Sequence, residues 1–264
     1  MKIHVSIVDY FKGRRVEKTL DALLAQRIDG RLIATVIDNS CSNDNFFVLS
    51  KKISALRNVT LLRSHSNLGY TRGTNLSVDA SADYIVLLNP DVILEDPNTL
   101  ARCVDLIASD ESVGIVGIAQ CDDEGKREQV ARRFPNLKVQ IARRMGNLGQ
   151  HLMGDDIRSY EYSEHLNDDG GFHVVDWVQS SFWVVRGELW RKLNGLDEYF
   201  YLFMSEADFS RRAAMLGYKT ILYNDLMARS DGIRASGGGV KALFTSKALR
   251  IHVLDALKYY FRSR

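Results

Sequence analysis

The chain has 264 residues, of which 45% are hydrophobic and 26% charged, the proportions of an ordinary globular protein. That length suits one large α/β domain better than two, and three prolines leave no Pro-rich linker to divide it. A net charge of +2 argues for no nucleic-acid partner, and no apolar run reaches the roughly 20 residues of a membrane span.

Cys41, Cys103 and Cys121 are odd in number, lack metal-ligand spacing and read as reduced thiols of a cytosolic protein. Met1 to Val5 enters a strand with no signal-peptide pattern ahead of it. The expected location is the cytoplasm, or the inner face of the cell membrane if the protein is held there peripherally.

Ile3, Val5 and Ile7 alternate with His4 and Ser6, a half-buried strand pattern. Val16, Leu20, Leu23 and Leu24 share one helical face. Apolar runs at 32–37, 59–62 and 84–88 predict three more strands, and the last is continuous, as in a strand covered on both faces. Leu100, Cys103, Val104 and Ile107 mark a helix, and 113–118 the next strand. Strands separated by helices imply a mainly parallel sheet, with ligands bound at the carboxyl ends of its strands.

From Cys121 to Phe172 the chain is polar, carrying Asp122-Asp123-Glu124-Gly125, Arg132-Arg133, Arg143-Arg144 and Asp168-Asp169-Gly170-Gly171. A loop-rich functional insertion and a plain surface excursion both fit. Regular structure is expected again at 174–178. A strand at 182–185, helices at 188–193 and 206–216 with Gly217 as C-terminal cap, and a glycine-rich run at 232–239 follow. A final helix carries Leu249, Val253, Leu254 and Leu257.

No G-x-G-x-x-G follows the first strand, and no P-loop, zinc-finger spacing or nucleophile elbow occurs. The remaining candidates are carboxylates at strand ends. Asp91 ends a buried strand in Asn89-Pro90-Asp91 and suits a hard cation, which needs only one or two carboxylates plus phosphates. Asn-Pro-Asp is also a common turn, so the residues alone leave both readings open. Asp38 shares the ambiguity: it could bind a base or ribose, or shape the turn that follows.

Taken together, the segments resemble family 2 glycosyltransferases, especially the rhamnosyltransferase-like branch. Val36-Ile37-Asp38-Asn39-Ser40 resembles V-V-D-N-x-S, and residues 66–75 resemble x-N-x-G-[FY]-x-x-G-x-N. Leu87-Leu88-Asn89-Pro90-Asp91-Val92 is similar to the L-N-P-D-[VI] form of the metal-binding D-x-D. Arg132-Arg133-Phe134-Pro135, Val175-Asp176-Trp177-Val178, Gly195-Leu196-Asp197-Glu198 and 200–212 follow in the family's order, so the likeness spans about Ile3 to Asp231.

The resemblance implies a GT-A-type α/β domain over 1–240, with a nucleotide-sugar half to about 120, an acceptor half to 240, and a basic amphipathic helix at 241–264. It implies inverting transfer of a sugar, rhamnose from dTDP-rhamnose in that branch, to a saccharide or lipid-linked saccharide. Asp9, Asp38, Asn67, Gly69, Arg72, Gly73, Asn75 and Asn89 would hold the donor, and Asp91 a Mg²⁺ or Mn²⁺ ion.

Two departures stand out. The family's E-D-x-D-[LF] is Ser205-Glu206-Ala207-Asp208-Phe209 here, placing Glu206 at the catalytic-base position; a slip of one residue would put Ala207 there. The family's histidine near position 230 is Ser230, with Asp231 as a candidate metal ligand and Arg229 as a candidate phosphate clamp. Asp176, Trp177 and Trp183 are acceptor-side candidates, although core packing suits at least one tryptophan. Lys241, Lys247, Arg250, Lys258, Arg262 and Arg264 make the last helix basic, suiting anionic lipid, the domain surface or a second copy. Two rival readings stay open: a non-catalytic glycosyltransferase-like binding domain, and a nucleotidyltransferase using Lys12-Gly13-Arg14-Arg15.

Overall fold

The first strand, β1 (Lys2–Asp9), is buried on both faces rather than one. His4 and Ser6, expected to meet solvent, are buried because their polar atoms find partners. His4 Nε2 lies 3.0 Å from Thr35 Oγ1, and Ser6 Oγ bonds Ser77 Oγ at 2.5 Å.

The structure is a computed structural model that describes residues 1–162, 170–232 and 246–262. Asp168, Asp169, residues 233–239 of the glycine-rich run, Lys241 and Arg264 lie outside the described residues.

After β1 come α1 (Gly13–Leu24), β2 (Arg31–Asp38), α2 (Asn43–Ile53), β3 (Val59–Arg63), α3 (Gly69–Ser77) and β4 (Tyr84–Leu88). The short β5 (Ile93–Leu94) precedes α4 (Thr99–Ser109) and β6 (Val113–Cys121). The polar insertion is not loop-rich: it carries β7 (Arg127–Glu128), β8 (Ala131–Arg132), α5 (Leu137–Arg144) and α6 (Asn147–Tyr160). The two helices pack on each other through Val139, Ala142, Ile157 and Tyr160, a small apolar cluster of their own. Then follow β9 (Phe172–Val175), β10 (Trp177–Val178), β11 (Phe182–Arg186), α7 (Gly187–Leu193), α8 (Ser205–Met215), β12 (Lys219–Arg229) and α9 (Lys247–Arg262).

The main sheet has ten strands, with the central order β3-β2-β1-β4-β11-β6-β12-β5. β1 pairs parallel with both β2 and β4, and β12 pairs parallel with β6. β11 runs antiparallel between β4 and β6, so the sheet is mixed at its centre.

Alternation assigns the core. Val86, Leu88, Phe182 and Val184 face a cluster completed by Val16, Leu20 and Leu23 of α1 and Leu100, Cys103 and Ile107 of α4. Ile85, Leu87, Trp183 and Val185 face the other, with Leu189, Trp190 and Phe209. Leu24, expected on the buried face of α1, is exposed at the helix end. Gly217 closes α8 at φ +83°, a conformation that favours glycine.

The C-terminal helix is latched to the domain by one carboxylate. Asp255 is buried and accepts from the backbone N–H groups of Tyr201 (3.3 Å), Leu202 (3.0 Å) and Phe203 (3.0 Å). Tyr259 and Leu249 turn inward beside it, Tyr259 against Phe200. Asp255→Ala would leave three amides without that acceptor, a loss of about 2–4 kcal/mol. The melting temperature is expected to fall by roughly 5–10 °C, measurable by calorimetry.

Candidate active site

The carboxyl ends of β1 and β2 place Asp9 and Asp38 side by side, paired in register and fully buried. Asn45, from α2, donates through Nδ2 to Asp9 Oδ2 (2.6 Å) and Asp38 Oδ1 (2.9 Å). Ser40 adds its N–H and hydroxyl to Asp38 Oδ1, at 3.1 and 2.6 Å. Asp38 Oδ2 is buried with no hydrogen-bond partner among the described residues, which leaves one acceptor free beneath the cleft. Burial pushes the Asp9 carboxyl above its ordinary range against the Asn45 bond. Both residues form the floor rather than the lining of a cleft of 1050 Å³ that opens over this edge.

The segment 67–75 is the turn into α3 and most of that helix. Asn67 Oδ1 accepts from Asn39 Nδ2 (3.1 Å), Gly69 N (2.9 Å) and the Tyr201 hydroxyl (2.9 Å). Gly69 has φ +75°, and a side chain there would collide with the Tyr201 carbonyl, which accepts from Tyr70 N at 3.0 Å. Asn67, Gly69 and Asn89 line the cleft. Three residues expected beside them do not. Gly73 packs under Val8, and Asn75 brackets Leu196 by donating to its carbonyl (2.8 Å) and accepting from its N–H (3.0 Å). Arg72 is exposed, 3.9 Å from Glu198. Helical periodicity turns Arg72, Gly73 and Asn75 away from the face that Asn67 and Gly69 present to the cleft.

Asp91 and Asp231 arrive from the ends of β4 and β12 and meet at one ammonium. Lys12 Nζ lies 3.0 Å from Asp91 Oδ2 and 2.7 Å from Asp231 Oδ2. The turn before Asp91 is pinned by Thr19 Oγ1 donating to the Pro90 carbonyl at 3.0 Å. Burial, and then the adjacent Asp231, push the Asp91 carboxyl up to about 6. The donor set suits a hard divalent cation: two carboxylates of hard oxygen on one wall, with the remaining positions open to phosphate and water. No group of three or more His, Cys, Asp and Glu side chains assembles among the described residues, so protein atoms alone do not complete a cage. Arg229 points elsewhere, donating to Glu95 at 2.9 Å, while Ser230 faces the cleft and donates to Glu128 at 3.2 Å.

Glu206 opens into the same cleft from the first turn of α8. Met204, before it, is held at φ +69°, a left-handed conformation that a non-glycine residue adopts at a cost of order 1 kcal/mol. Glu206 faces the cleft, while Ala207 is fully buried with Trp177, Phe200 and Tyr259. Desolvation pushes the Glu206 carboxyl up, opposed by the Ser205 hydroxyl at 3.4 Å and by Arg132. Asp208 pairs with Arg212 at 2.7 Å, as a helix residue.

Trp177 lines the cleft, its Nε1 donating to the Arg133 carbonyl (2.8 Å) and the Arg132 guanidinium 5.6 Å above its ring. Trp183 does not: it is fully buried, donates to the Val178 carbonyl (3.0 Å) and packs on Phe209. Asp176 is also turned away, accepting from Phe134 N (2.7 Å) and the Tyr162 hydroxyl (3.2 Å) to anchor the insertion. α5, α6 and α9 complete the walls with Gln140, Gln150 and His252, the last stacked on Phe203 at 4.4 Å. Sequence reasoning passed over Asn45 and Tyr201, whose roles depend on contacts across 36 and 134 positions.

Residues 5–163 match the family model described as Glycosyl transferase family 2. Rhamnosyltransferase WbbL of Escherichia coli (strain K12) is 23% identical over 185 residues, 70% of this chain and 64% of that protein, so the match spans less than two thirds of its length. An N-acetylglucosaminyl-diphospho-decaprenol L-rhamnosyltransferase of Mycobacterium tuberculosis is 24% identical over 231 residues, 82% of this chain and 72% of the relative. The mannosyltransferase PcManGT from Pyrobaculum calidifontis, solved with GDP-Man and Mn²⁺, superposes with a TM-score of 0.62 at 15% identity, over 99% of this chain and 64% of that one. S. aureus TarS 1-349 with UDP-GlcNAc gives 0.59 at 14% identity, over 92% and 61%. These likenesses show a GT-A glycosyltransferase fold.

The raised Glu206 carboxyl has a consequence for stability. Because folding favours its protonated form, the wild-type chain loses stability as pH rises from the ordinary glutamate value through the folded one. Glu206→Gln escapes that loss. Its melting temperature relative to wild type should therefore climb over the range above the ordinary glutamate value of about 4.3. A difference that stays constant in thermal scans across that range would mean that the carboxylate is solvated as in water.

Proposed function

Since the chain belongs to glycosyl transferase family 2, we propose that it moves a sugar from a nucleoside diphosphate sugar to a hydroxyl of a saccharide or lipid-linked saccharide, inverting the anomeric carbon. The observation that carries this reading is the placement of Glu206 in one cleft with the Asp91–Asp231 corner.

Glu206 takes the proton of the acceptor hydroxyl as that oxygen bonds the anomeric carbon, and the bond from that carbon to the diphosphate oxygen breaks. The nucleoside diphosphate leaves with the bonding pair. Asp91 and Asp231 would hold a Mg²⁺ or Mn²⁺ ion, which neutralises charge growing on the diphosphate. Asp38 and Asn67 shape the base and ribose end of the cleft, Asp38 from beneath it and Asn67 from its wall, and Tyr10, exposed at the rim, offers an aromatic face to the base. The nucleotide-sugar half, about 1–120, supplies these groups; Trp177 and the α5–α6 pair, from the acceptor half, offer a stacking face and amides to the second sugar.

Both curated relatives are rhamnosyltransferases by name, so dTDP-rhamnose is the proposed donor. The altered Ser205-Glu206 pair that motivated a non-catalytic reading retains a carboxylate in the cleft, which favours catalysis. The nucleotidyltransferase reading has less support, because Gly13 begins α1 directly and no glycine-rich loop precedes it.

Transfer from dTDP-rhamnose, with UDP-GlcNAc and GDP-Man as comparison donors, tests the reading. Glu206→Gln should lower turnover by about 10²–10⁴ while donor affinity persists. Glu206→Asp, the family's usual residue, should keep activity. Wild-type turnover in Glu206→Gln would place the base elsewhere.

A second proposal concerns location. No described helix is long and apolar enough to cross a membrane. The outward face of α9, however, carries Lys247, Arg250, Leu254, Leu257 and Phe261, with Leu254 58% and Phe261 69% exposed. Ile141, Met145, Leu148 and Leu152, on or beside α5 and α6, which also line the cleft, are exposed. A basic, apolar rim suits peripheral contact with anionic lipid. Co-sedimentation with phosphatidylglycerol vesicles should occur and weaken steeply with salt. Concentration-dependent dimerisation without vesicle binding would assign the face to a second copy.

A further inference from the structure

Lys12 has no counterpart among the chemistry assigned so far. It caps the amino end of α1, and its backbone N–H is fixed by Asp9 Oδ1 at 3.0 Å. The side chain then crosses to the two carboxylates of the cation corner, at 2.7 and 3.0 Å. Those carboxylates are 9% and 5% exposed, whereas the Lys12 side chain is 29% exposed and lines the cleft. Three segments far apart in sequence, following β1, β4 and β12, therefore meet at one monovalent charge.

Two consequences follow from simple electrostatics. Asp91 and Asp231 repel one another, and Lys12 is the cation that offsets this at contact distance. A divalent ion held by the same two oxygens would compete with the ammonium, which already lies within hydrogen-bond distance of both. The backbone of Lys12 is anchored, but its stem of four carbons is flexible, so the ammonium can move by a few ångströms and stay on the cleft wall. Phosphates held by such a metal would offer it a new anion on that wall.

We propose that Lys12 is the resident counter-ion of the Asp91–Asp231 pair, and that a divalent cation displaces it onto the diphosphate of the donor. The proposal rests on the donor reading above. It makes metal and nucleotide binding mutually dependent. Metal alone must expel an ion-paired lysine into water, whereas metal with diphosphate gives the lysine a new anion, and such coupling is reciprocal.

Calorimetric titration separates the parts. Mn²⁺ alone is titrated into wild type and Lys12→Met, which keeps length and loses charge. dTDP is then titrated at saturating Mn²⁺. Lys12→Met should bind Mn²⁺ about tenfold tighter without nucleotide, because its competitor is gone. It should bind dTDP about tenfold weaker, because a charge-assisted bond is lost. Lys12→Gln is the second neutral variant should Lys12→Met fail to fold, and Lys12→Arg should restore weak Mn²⁺ binding. Mn²⁺ affinity that is unchanged or reduced in the neutral variants overturns the counter-ion role; unchanged dTDP affinity overturns the transfer to diphosphate. If wild type binds none of dTDP, UDP and GDP, the donor reading falls and the diphosphate half with it, while the Mn²⁺ titration still decides the counter-ion role.

Discussion

One side-chain amide holds the floor of the cleft together. Parallel pairing of β1 with β2 forces Asp9 and Asp38 to be neighbours, and the helices around them exclude water. Two carboxylates in such a place repel unless a donor stands between them. Asn45 is that donor, presented from the first turn of α2, which is packed on the core through Leu49 and Ile53. The strand ends are thereby fixed, and with them the turn that carries Tyr10 and Lys12 into the cleft. Everything above the floor, from the Asn67 cradle to the Asp91–Asp231 corner, is placed relative to this pair.

Much of the molecule was legible where burial alone decides the pattern. The unbroken run at 84–88 is β4 with the expected bounds, and Gly217 ends α8 as expected. The failures have physical causes. β12 was missed because Asn224 and Asp225 interrupt its apolar residues at a bulge, where pairing with β6 slips between Tyr223 and Met227. α2 buries only Leu49 and Ile53, too narrow a stripe to read as a helix. The insertion looked like loop because its helices bury little in the main core and instead bury each other. His4 and Ser6 followed a strict alternation that polar partners on α3 and β2 made irrelevant.

The site shows the same division. Asp91 was readable from its place at the end of a buried strand, and Glu206 and Asp231 from the family resemblance; all three line the cleft. Direction was not readable. Trp177 and Trp183 lie six positions apart with similar surroundings in sequence, and only the packing of Phe209 against Trp183 separates wall from core. Asn75 and Asn67 belong to one motif, yet one cradles the cleft and the other buttresses the Leu196 turn. A motif records that residues matter together without saying which of them face outward.

The latch formed by Asp255 bears on where this chain can be cut. The family match ends at residue 163, and a fragment designed on that boundary would contain the floor of the cleft but neither Glu206 nor Asp231. Extending it through β12 would recover both, and still omit the carboxylate that orders the three amides leading into Met204 and Glu206. Topologically, the last helix returns to a loop about fifty positions earlier, so a fragment that keeps this latch runs through α9. Swapping acceptor-side segments between relatives would have to carry that helix along with the loop it orders, as one cassette drawn from two places in the chain.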